Sequence, residues 1–318
     1  MSEVSVVIPN FNGKGYLEGV LDSLSVQTAP DFEILLVDNG STDGSIEYTK
    51  EKYPAVRIIA LPENFGFSRA VNEGIRASAS PYVILLNNDT KADPDFISEL
   101  VRGMKRHPRA FACQAKMIRM QDEHLLDGAG DLYCAAGWAA ARGRDQSAEK
   151  YTREEQIFSC CAGAAIYRRS LLTGLGLFDE EHFAYLEDTD IGYRARICGY
   201  ENWYIPTAVI RHLGSGTSGS RYNRFKVRYS SRNNVYMLRK NMPPGQILLN
   251  LPFLIAGFGI KFLYFLRKGF GREYLAGIKN GLELLCKEKR IRFRPDRLGR
   301  YAQIQLELWI NLVRIVFL

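Results

Sequence analysis

Tyr82-Val83-Ile84-Leu85-Leu86-Asn87-Asn88-Asp89-Thr90 is an apolar run that ends abruptly in polar side chains, one of them a carboxylate. Such a run reads as a strand buried on both faces of a parallel sheet. In open α/β sheets, ligands bind beyond the carboxyl ends of the strands. Asp89 therefore falls where a metal ion or a phosphate would sit, although Asn and Asp also end strands for reasons of turn chemistry alone.

The segments before this run repeat the pattern. Val4–Pro9 is a β-branched run followed by the turn Asn10-Phe11-Asn12-Gly13, and Tyr16–Gln27 then places Leu17, Val20, Leu21 and Leu24 on one helical face. Phe32–Val37 reads as a second strand, ending in Asp38-Asn39-Gly40-Ser41-Thr42-Asp43-Gly44. Ser45–Lys52 reads as a helix, Val56–Ala60 as a strand and Phe67–Ala79 as a helix. This alternation predicts an α/β fold with a parallel, doubly wound sheet. From 110 to 170 the periodicity loosens, with Cys160–Tyr167 reading as a buried strand of small residues. A helix is expected to begin near Glu187 and a strand to run over Trp203–Ile210. His212–Ser220 is a Gly- and Ser-rich loop expected to order over a ligand.

A length of 318 residues with 46% hydrophobic content suits one large domain with an appendage. The six cysteines form no C-x-x-C pair, which points to a reducing compartment and away from a structural zinc site. Met1–Val7 lacks a basic segment leading into a long apolar core, so no secretory signal is expected. The net charge of +7 is unevenly spread: residues 221–300 hold 19 Lys and Arg against 4 Asp and Glu, whereas residues 1–220 hold 22 against 30. An acidic body joined to a basic tail invites an anionic partner, either nucleic acid or the anionic face of a membrane, unless the surface is merely solvated. No recognisable nucleic-acid-binding motif accompanies the tail.

The last third differs in kind. Ile247–Leu266 is largely apolar but interrupted by Asn250, Pro252, Gly257, Gly259 and Lys261, marginal for a membrane span. Tyr301–Leu318 carries Gln303, Glu307, Asn311 and Arg314 on one narrow polar stripe, with Gln305 off it. With the basic run Lys287–Arg300 before it, this helix is expected to lie in a membrane interface, the alternative being ordinary packing on its neighbours.

Three polar clusters follow apolar strands: Pro9-Asn10-Phe11-Asn12, Asp38-Asn39-Gly40-Ser41 and Asn87-Asn88-Asp89. In a doubly wound sheet their strand ends share one edge and converge on one ligand. Asp38 suits the base or ribose of a nucleotide, and Asp89 suits a divalent cation bridging phosphate oxygens. Glu187-Asp188-Thr189-Asp190 offers more carboxylates than helix capping needs, so one of them is a candidate general base for a hydroxyl nucleophile. His212, just past a strand, is a candidate neutral imidazole ligand or simply a structural histidine.

Taken in order, these residues resemble an inverting family 2 glycosyltransferase of the GT-A fold, and within it the rhamnosyltransferase-like branch. The resemblance rests on Val4–Asn12, Ile34–Ser45, Asn64-Phe65-Gly66-Phe67 with Asn72-Glu73-Gly74, Leu86–Thr90, Gly163-Ala164-Ala165, Gly176–Asp179 and Glu187–Ala195. It covers roughly residues 4–240. It implies a Rossmann-like, mostly parallel sheet flanked by helices over 1–240; beyond it, the charge and spacing read above make 241–318 a basic, amphipathic helical extension expected to associate with a membrane. Pro9, Asn10, Asn12, Asp38, Asn39 and Asn64, together with Asn87 and Asn88, would line the nucleotide-sugar pocket. Asn87-Asn88-Asp89 stands where the family carries its metal-binding Asp-x-Asp, with Asn87 in the first carboxylate position. Asp89 and His212 would hold Mg²⁺ or Mn²⁺, and Asp188, with Glu187 beside it, would be the catalytic base. The implied donor is dTDP- or UDP-linked, with rhamnose leading, and the acceptor is a saccharide or lipid-linked saccharide in cell-surface polysaccharide synthesis. The implied location is cytoplasmic, peripheral on the inner face of the membrane, with no nucleic-acid partner; a homodimer is compatible with this. The alternative is a membrane-attached binding or scaffold protein that kept the fold and lost catalysis.

Overall fold

Four strands, Val4–Asn10 (β1), Phe32–Asn39 (β2), Arg57–Leu61 (β3) and Tyr82–Leu86 (β4), lie parallel in the order β3-β2-β1-β4. Their crossovers are the helices Lys14–Ser25 (α1), Ser45–Lys52 (α2) and Phe67–Ala77 (α3). These elements come from a computed structural model that describes residues 2–214, 222–284 and 290–316. In α1 the buried side chains are Leu17, Val20, Leu21 and Leu24, the stripe expected from the sequence.

The chain continues through Thr90–Ala92 (β5), Phe96–Arg106 (α4), Ala110–Arg119 (β6), Asp122–Gly128 (β7), Asp131–Tyr133 (β8), Ala139–Ala141 (β9), Glu155–Ile157 (β10) and Ala164–Arg168 (β11). Arg169–Gly174 (α5), Glu187–Ile197 (α6) and Glu201–His212 (β12) complete the body. Here the sheet departs from the parallel pattern: β11 lies antiparallel between β4 and β6, and β12 runs parallel to β6. The reason is where the chain enters. β4 ends at Leu86, and the Asn87 N–H bonds the Gly163 carbonyl at 2.9 Å at the head of β11, so β11 starts from the edge where β4 stops and must run back.

The two faces of the sheet bury two apolar clusters, one centred on Leu21, Ile84 and Phe96, the other on Val71, Leu85 and Phe178. A third cluster joins Tyr133, Phe158 and Tyr193 of the body to Met237, Leu254 and Leu308 of the C-terminal helices. Those helices are Arg224–Asn241 (α7), Pro244–Arg267 (α8), Gly271–Leu284 (α9) and Leu298–Val316 (α10). A division at 240/241 thus falls at the end of α7, and the segments on its two sides share a core. Of the segments read from sequence, residues 215–220 of the Gly/Ser loop, 287–289 of the basic run and 317–318 of the last helix lie outside the described residues.

The polar stripe of α10 divides: Gln303 and Arg314 at its ends are exposed, whereas its middle, with the off-stripe Gln305, turns inward. Asn311 is fully buried and donates to the Tyr133 carbonyl at 3.0 Å, Glu307 pairs with Arg196, and Gln305 exchanges amide hydrogen bonds with Asn250 of α8. The outward face instead carries Leu306, Trp309 and Val313. Buried polar side chains seek partners, and here the body supplies them.

α6 and α7 are tied by a buried charge network. Lys240 Nζ lies 2.9 Å from Asp190 and 2.5 Å from Asp179, and Arg194 lies 2.8 Å from Asp190. Lys240→Met should strand part of this negative charge and lower stability by about 3 kcal/mol, read from urea denaturation; a loss below about 1 kcal/mol would show that the network is dispensable.

Candidate active site

The strand ends of β1, β2 and β4 meet, but not all of their polar residues face the same cavity. Asn88 Nδ2 donates to Asn10 Oδ1 at 2.7 Å, Asn10 Nδ2 donates to Asp38 Oδ2 at 3.0 Å, and the Ser41 N–H donates to Asp38 Oδ1 at 2.9 Å. Gly13 permits this packing, since a Cβ there would sit 2.1 Å from Asn88 Nδ2. Asn10 and Asp38 are buried behind the cleft wall, their polar atoms turned on one another. Asn12 is exposed on the neighbouring loop, where its Oδ1 accepts from the Thr42 N–H at 2.8 Å. These three side chains are therefore not among the cleft-lining groups; they brace the loop that is.

Pro9, Asn39, Asn64, Asn87, Asn88, Asp89, Glu187, Asp188 and His212 do line one cleft of about 1000 Å³. Asn39 Nδ2 donates to Asn64 Oδ1 at 2.9 Å, and its Oδ1 accepts from the Phe65 N–H at 3.0 Å, fixing that wall.

At the second wall, β5 pairs antiparallel with β12, with His212 opposite Thr90, and the Leu213 N–H donates to the Asp89 carbonyl at 3.0 Å. His212 Nε2 comes 3.2 Å from Asp89 Oδ1 and Nδ1 comes 2.7 Å from Asp127 Oδ2. Burial disfavours the imidazolium, but the bonds to Asp127 and Asp89 outweigh it and raise the His212 pKa to about 9. Asp127 is lowered despite its burial, because His212 and Arg144 face it; Arg144 Nη2 is 3.3 Å from Asp127 Oδ1. Lys226 of α7 lines the same cleft, its pKa lowered by burial and by Arg144.

The third wall begins with a strained turn. Phe183, Tyr185 and Leu186 all have positive φ (60°, 74° and 66°), a conformation that side-chain-bearing residues rarely adopt. Asn233 of α7 holds it, with Nδ2 at 2.8 Å from each of the His182, Ala184 and Tyr185 carbonyls. The turn delivers Glu187 and Asp188 to the first turn of α6 and into the cleft. Burial raises the Asp188 pKa above the usual carboxylate range, although the Thr189 and Ala162 backbone N–H groups favour its ionised form. Burial and the adjacent Asp188 charge push Glu187 up further, and Glu187 Oε2 has no hydrogen-bond partner among the described residues.

The sequence reading did not single out Gln114, Asp127, Asp131, Arg144 or Lys226, all of which line this cleft. Asp127 and Asp131 flank the Gly128-Ala129-Gly130 stretch, whose lack of periodicity hid a strand, β7, and the start of another, β8. A further group, Asp179, His182 and Asp190, has the composition of a metal site, but Lys240 and Arg194 already pair with its two carboxylates.

The profile of glycosyl transferase family 2 matches residues 5–176. The chain belongs to that family. N-acetylglucosaminyl-diphospho-decaprenol L-rhamnosyltransferase of Mycobacterium tuberculosis (strain H37Rv) is 30% identical over 237 residues, covering 67% of this chain and 77% of that protein. Poly-beta-1,6-N-acetyl-D-glucosamine synthase of Staphylococcus epidermidis (strain RP62A) is 24% identical over 242 residues, 76% of this chain and 57% of that one. Among solved structures, GalNAc-T7 with UDP, GalNAc and Mn²⁺ superposes with a TM-score of 0.60 at 18% identity, over 76% of this chain and 48% of that chain, about half its length. The mannosyltransferase PcManGT from Pyrobaculum calidifontis, in complex with GDP-Man and Mn²⁺, superposes with a TM-score of 0.56 at 16% identity, over 98% and 86% of the two chains. At such identities the likeness concerns the fold, which is GT-A. This family 2 glycosyltransferase has the α/β core and C-terminal apolar helix that its sequence led one to expect.

The raised pKa of His212 gives a pH dependence. A group whose pKa is higher in the folded state stabilises the fold fully below its unfolded pKa and loses that contribution as pH rises through the folded one. In chelator-treated protein, stability should fall between pH 6.5 and about pH 9. His212→Gln should flatten this profile in urea titrations; an unchanged slope would contradict the assigned contacts.

Proposed function

We propose that this glycosyltransferase moves a sugar, with rhamnose the leading candidate, from a dTDP- or UDP-linked donor to a hydroxyl of a lipid-linked saccharide, with inversion. The observation that carries the reading is that Asp188 and the Asp89–His212 pair line a single cleft. A half-buried carboxylate whose pKa has been raised but which is held by backbone N–H groups suits a general base. Asp188 takes the proton of the acceptor hydroxyl, the hydroxyl oxygen forms a bond to the anomeric carbon, and the bond from that carbon to the diphosphate oxygen breaks on the opposite face. Arg144 and Lys226 offer positive charge to the departing nucleoside diphosphate.

One carboxylate oxygen and one imidazole nitrogen, completed by phosphate oxygens, form a donor set that suits Mg²⁺ or Mn²⁺. Bound by Asp89 and His212, that ion would neutralise charge on the leaving diphosphate. Asp127 would keep the His212 ring in its ligating orientation from behind. Pro9, Asn39 and Asn64 stand where a nucleoside would lie, with Asn10, Asn12 and Asp38 supporting them.

The rhamnosyl and lipid-linked assignments draw on the mycobacterial relative, whose name states both. A lipid-linked acceptor also fits the exterior. α8 is long and apolar enough to cross a membrane, with Leu248, Ile255 and Leu263 exposed, and α10 exposes Leu306, Trp309 and Val313. Arg267, Lys268, Arg292 and Arg294 are exposed near these faces in sequence. An apolar surface flanked by cations fits peripheral attachment to an anionic cytoplasmic membrane face.

Asp188→Asn should reduce transfer by about 10²–10⁴-fold while leaving donor affinity within about twofold, measured by product assay and calorimetry. Retention of more than about a tenth of the rate would remove Asp188 from the role. Full-length protein should sediment with vesicles of phosphatidylcholine and phosphatidylglycerol, and Leu306→Glu with Val313→Glu should weaken that binding by about tenfold or more. Equal sedimentation of the double variant would exclude the α10 face.

A further inference from the structure

We infer that Asp131 and Gln114 form, with Asp188, the subsite that grips the acceptor sugar through two adjacent hydroxyls. This deepens the glycosyl-transfer reading and rests on it. One carboxylate oxygen of Asp131, one of Asp188 and the Cys161 sulfur lie within 4.8 Å of one another, all on the cleft wall. The Asp131 backbone is fixed by pairing with Ala141 in the β8–β9 hairpin and by its N–H bond to the Ser159 carbonyl at 3.0 Å. Its carboxylate is thus held beside the base by rigid backbone, with no ion pair to occupy it among the described residues.

Gln114 points independently to a ligand. Its side chain is fully buried, the residue is among those lining the cleft, its Oε1 accepts from the Cys161 N–H at 2.6 Å, and its Nε2 has no hydrogen-bond partner among the described residues. A buried, unpaired amide donor is costly unless something arrives to accept from it. A sugar hydroxyl pair meets all three groups at once. One hydroxyl gives its proton to Asp188, its neighbour donates to Asp131, and one of the two oxygens accepts from Gln114 Nε2. Burial and the Asp188 charge raise Asp131 well above the usual carboxylate range, so the pair gains from an external donor placed between them.

The test titrates full-length protein with octyl glycosides of N-acetylglucosamine, glucose, galactose and rhamnose, with and without UDP and Mn²⁺, following saturation-transfer NMR. At least one glycoside should bind, and Asp131→Ala and Gln114→Met should each weaken it by about tenfold, the size of one lost hydrogen bond to a charged or buried group. UDP affinity should change by less than about twofold in both, and Asp131→Ala should keep its melting temperature, which separates acceptor binding from donor binding and from misfolding. For the glycoside that binds, the analogue lacking the hydroxyl next to the reacting one should bind wild type more weakly, and that penalty should vanish in Asp131→Ala. Unaltered glycoside affinity in both variants, a deoxy penalty that persists in Asp131→Ala, or no binding of any glycoside would overturn the inference. Loss of UDP binding alone would instead count against the donor half of the proposed function.

Discussion

The pairing of Thr90–Ala92 with Ile210–His212 is the constraint on which the site depends. It joins two chain segments about 120 residues apart at the one sheet edge where the parallel strands end. Without it, Asp89 would be an isolated carboxylate after a strand, and His212 a histidine at the end of another. With it, the imidazole stands between Asp89 and Asp127, and the backbone of Leu213 closes on Asp89. Antiparallel β11 makes this geometry reachable, because it separates β4 from β6 and so sets how far across the sheet β12 lies.

The opposite wall is the 183–186 turn and the start of α6, braced from behind by the C-terminal helices rather than by the sheet. Asn233 holds three carbonyls of a turn that would otherwise relax from its left-handed backbone, and Lys240 anchors α6 through Asp190. The same helices carry the outward apolar faces of α8 and α10. The surface suited to a membrane and the groups that position the candidate base are therefore parts of one packed unit, not a catalytic body with a loose tail.

Much of this is legible in the sequence, and the rest is not for definite reasons. β1 to β4 announce themselves because apolar runs end in polar turns, and the helical face of α1 is read correctly from its spacing. Asp89, Asp188, Glu187 and His212 are legible because each follows or opens a recognisable element. For Asp38 and Asn10 the turn position serves equally for a ligand contact or a brace, and the sequence does not show their partners Ser41 and Asn88. Asp127 and Asp131 sit in short strands with a glycine-rich link, where no period exists to read. The two faces of α10 are legible, but the pattern does not say which of its polar residues, here Glu307 and Asn311, the body pairs.

A corner with Asn87 in place of a first carboxylate carries little charge of its own, so its grip on a cation should depend on the nucleotide's phosphates. Metal and donor diphosphate should therefore bind there together. In calorimetric titrations of the wild-type protein, Mn²⁺ alone should bind weakly, UDP should strengthen that binding by about tenfold or more, and Mn²⁺ should strengthen UDP binding by the same factor. Equal Mn²⁺ affinity in the two titrations, or coupling that survives Asp89→Ala, would contradict it.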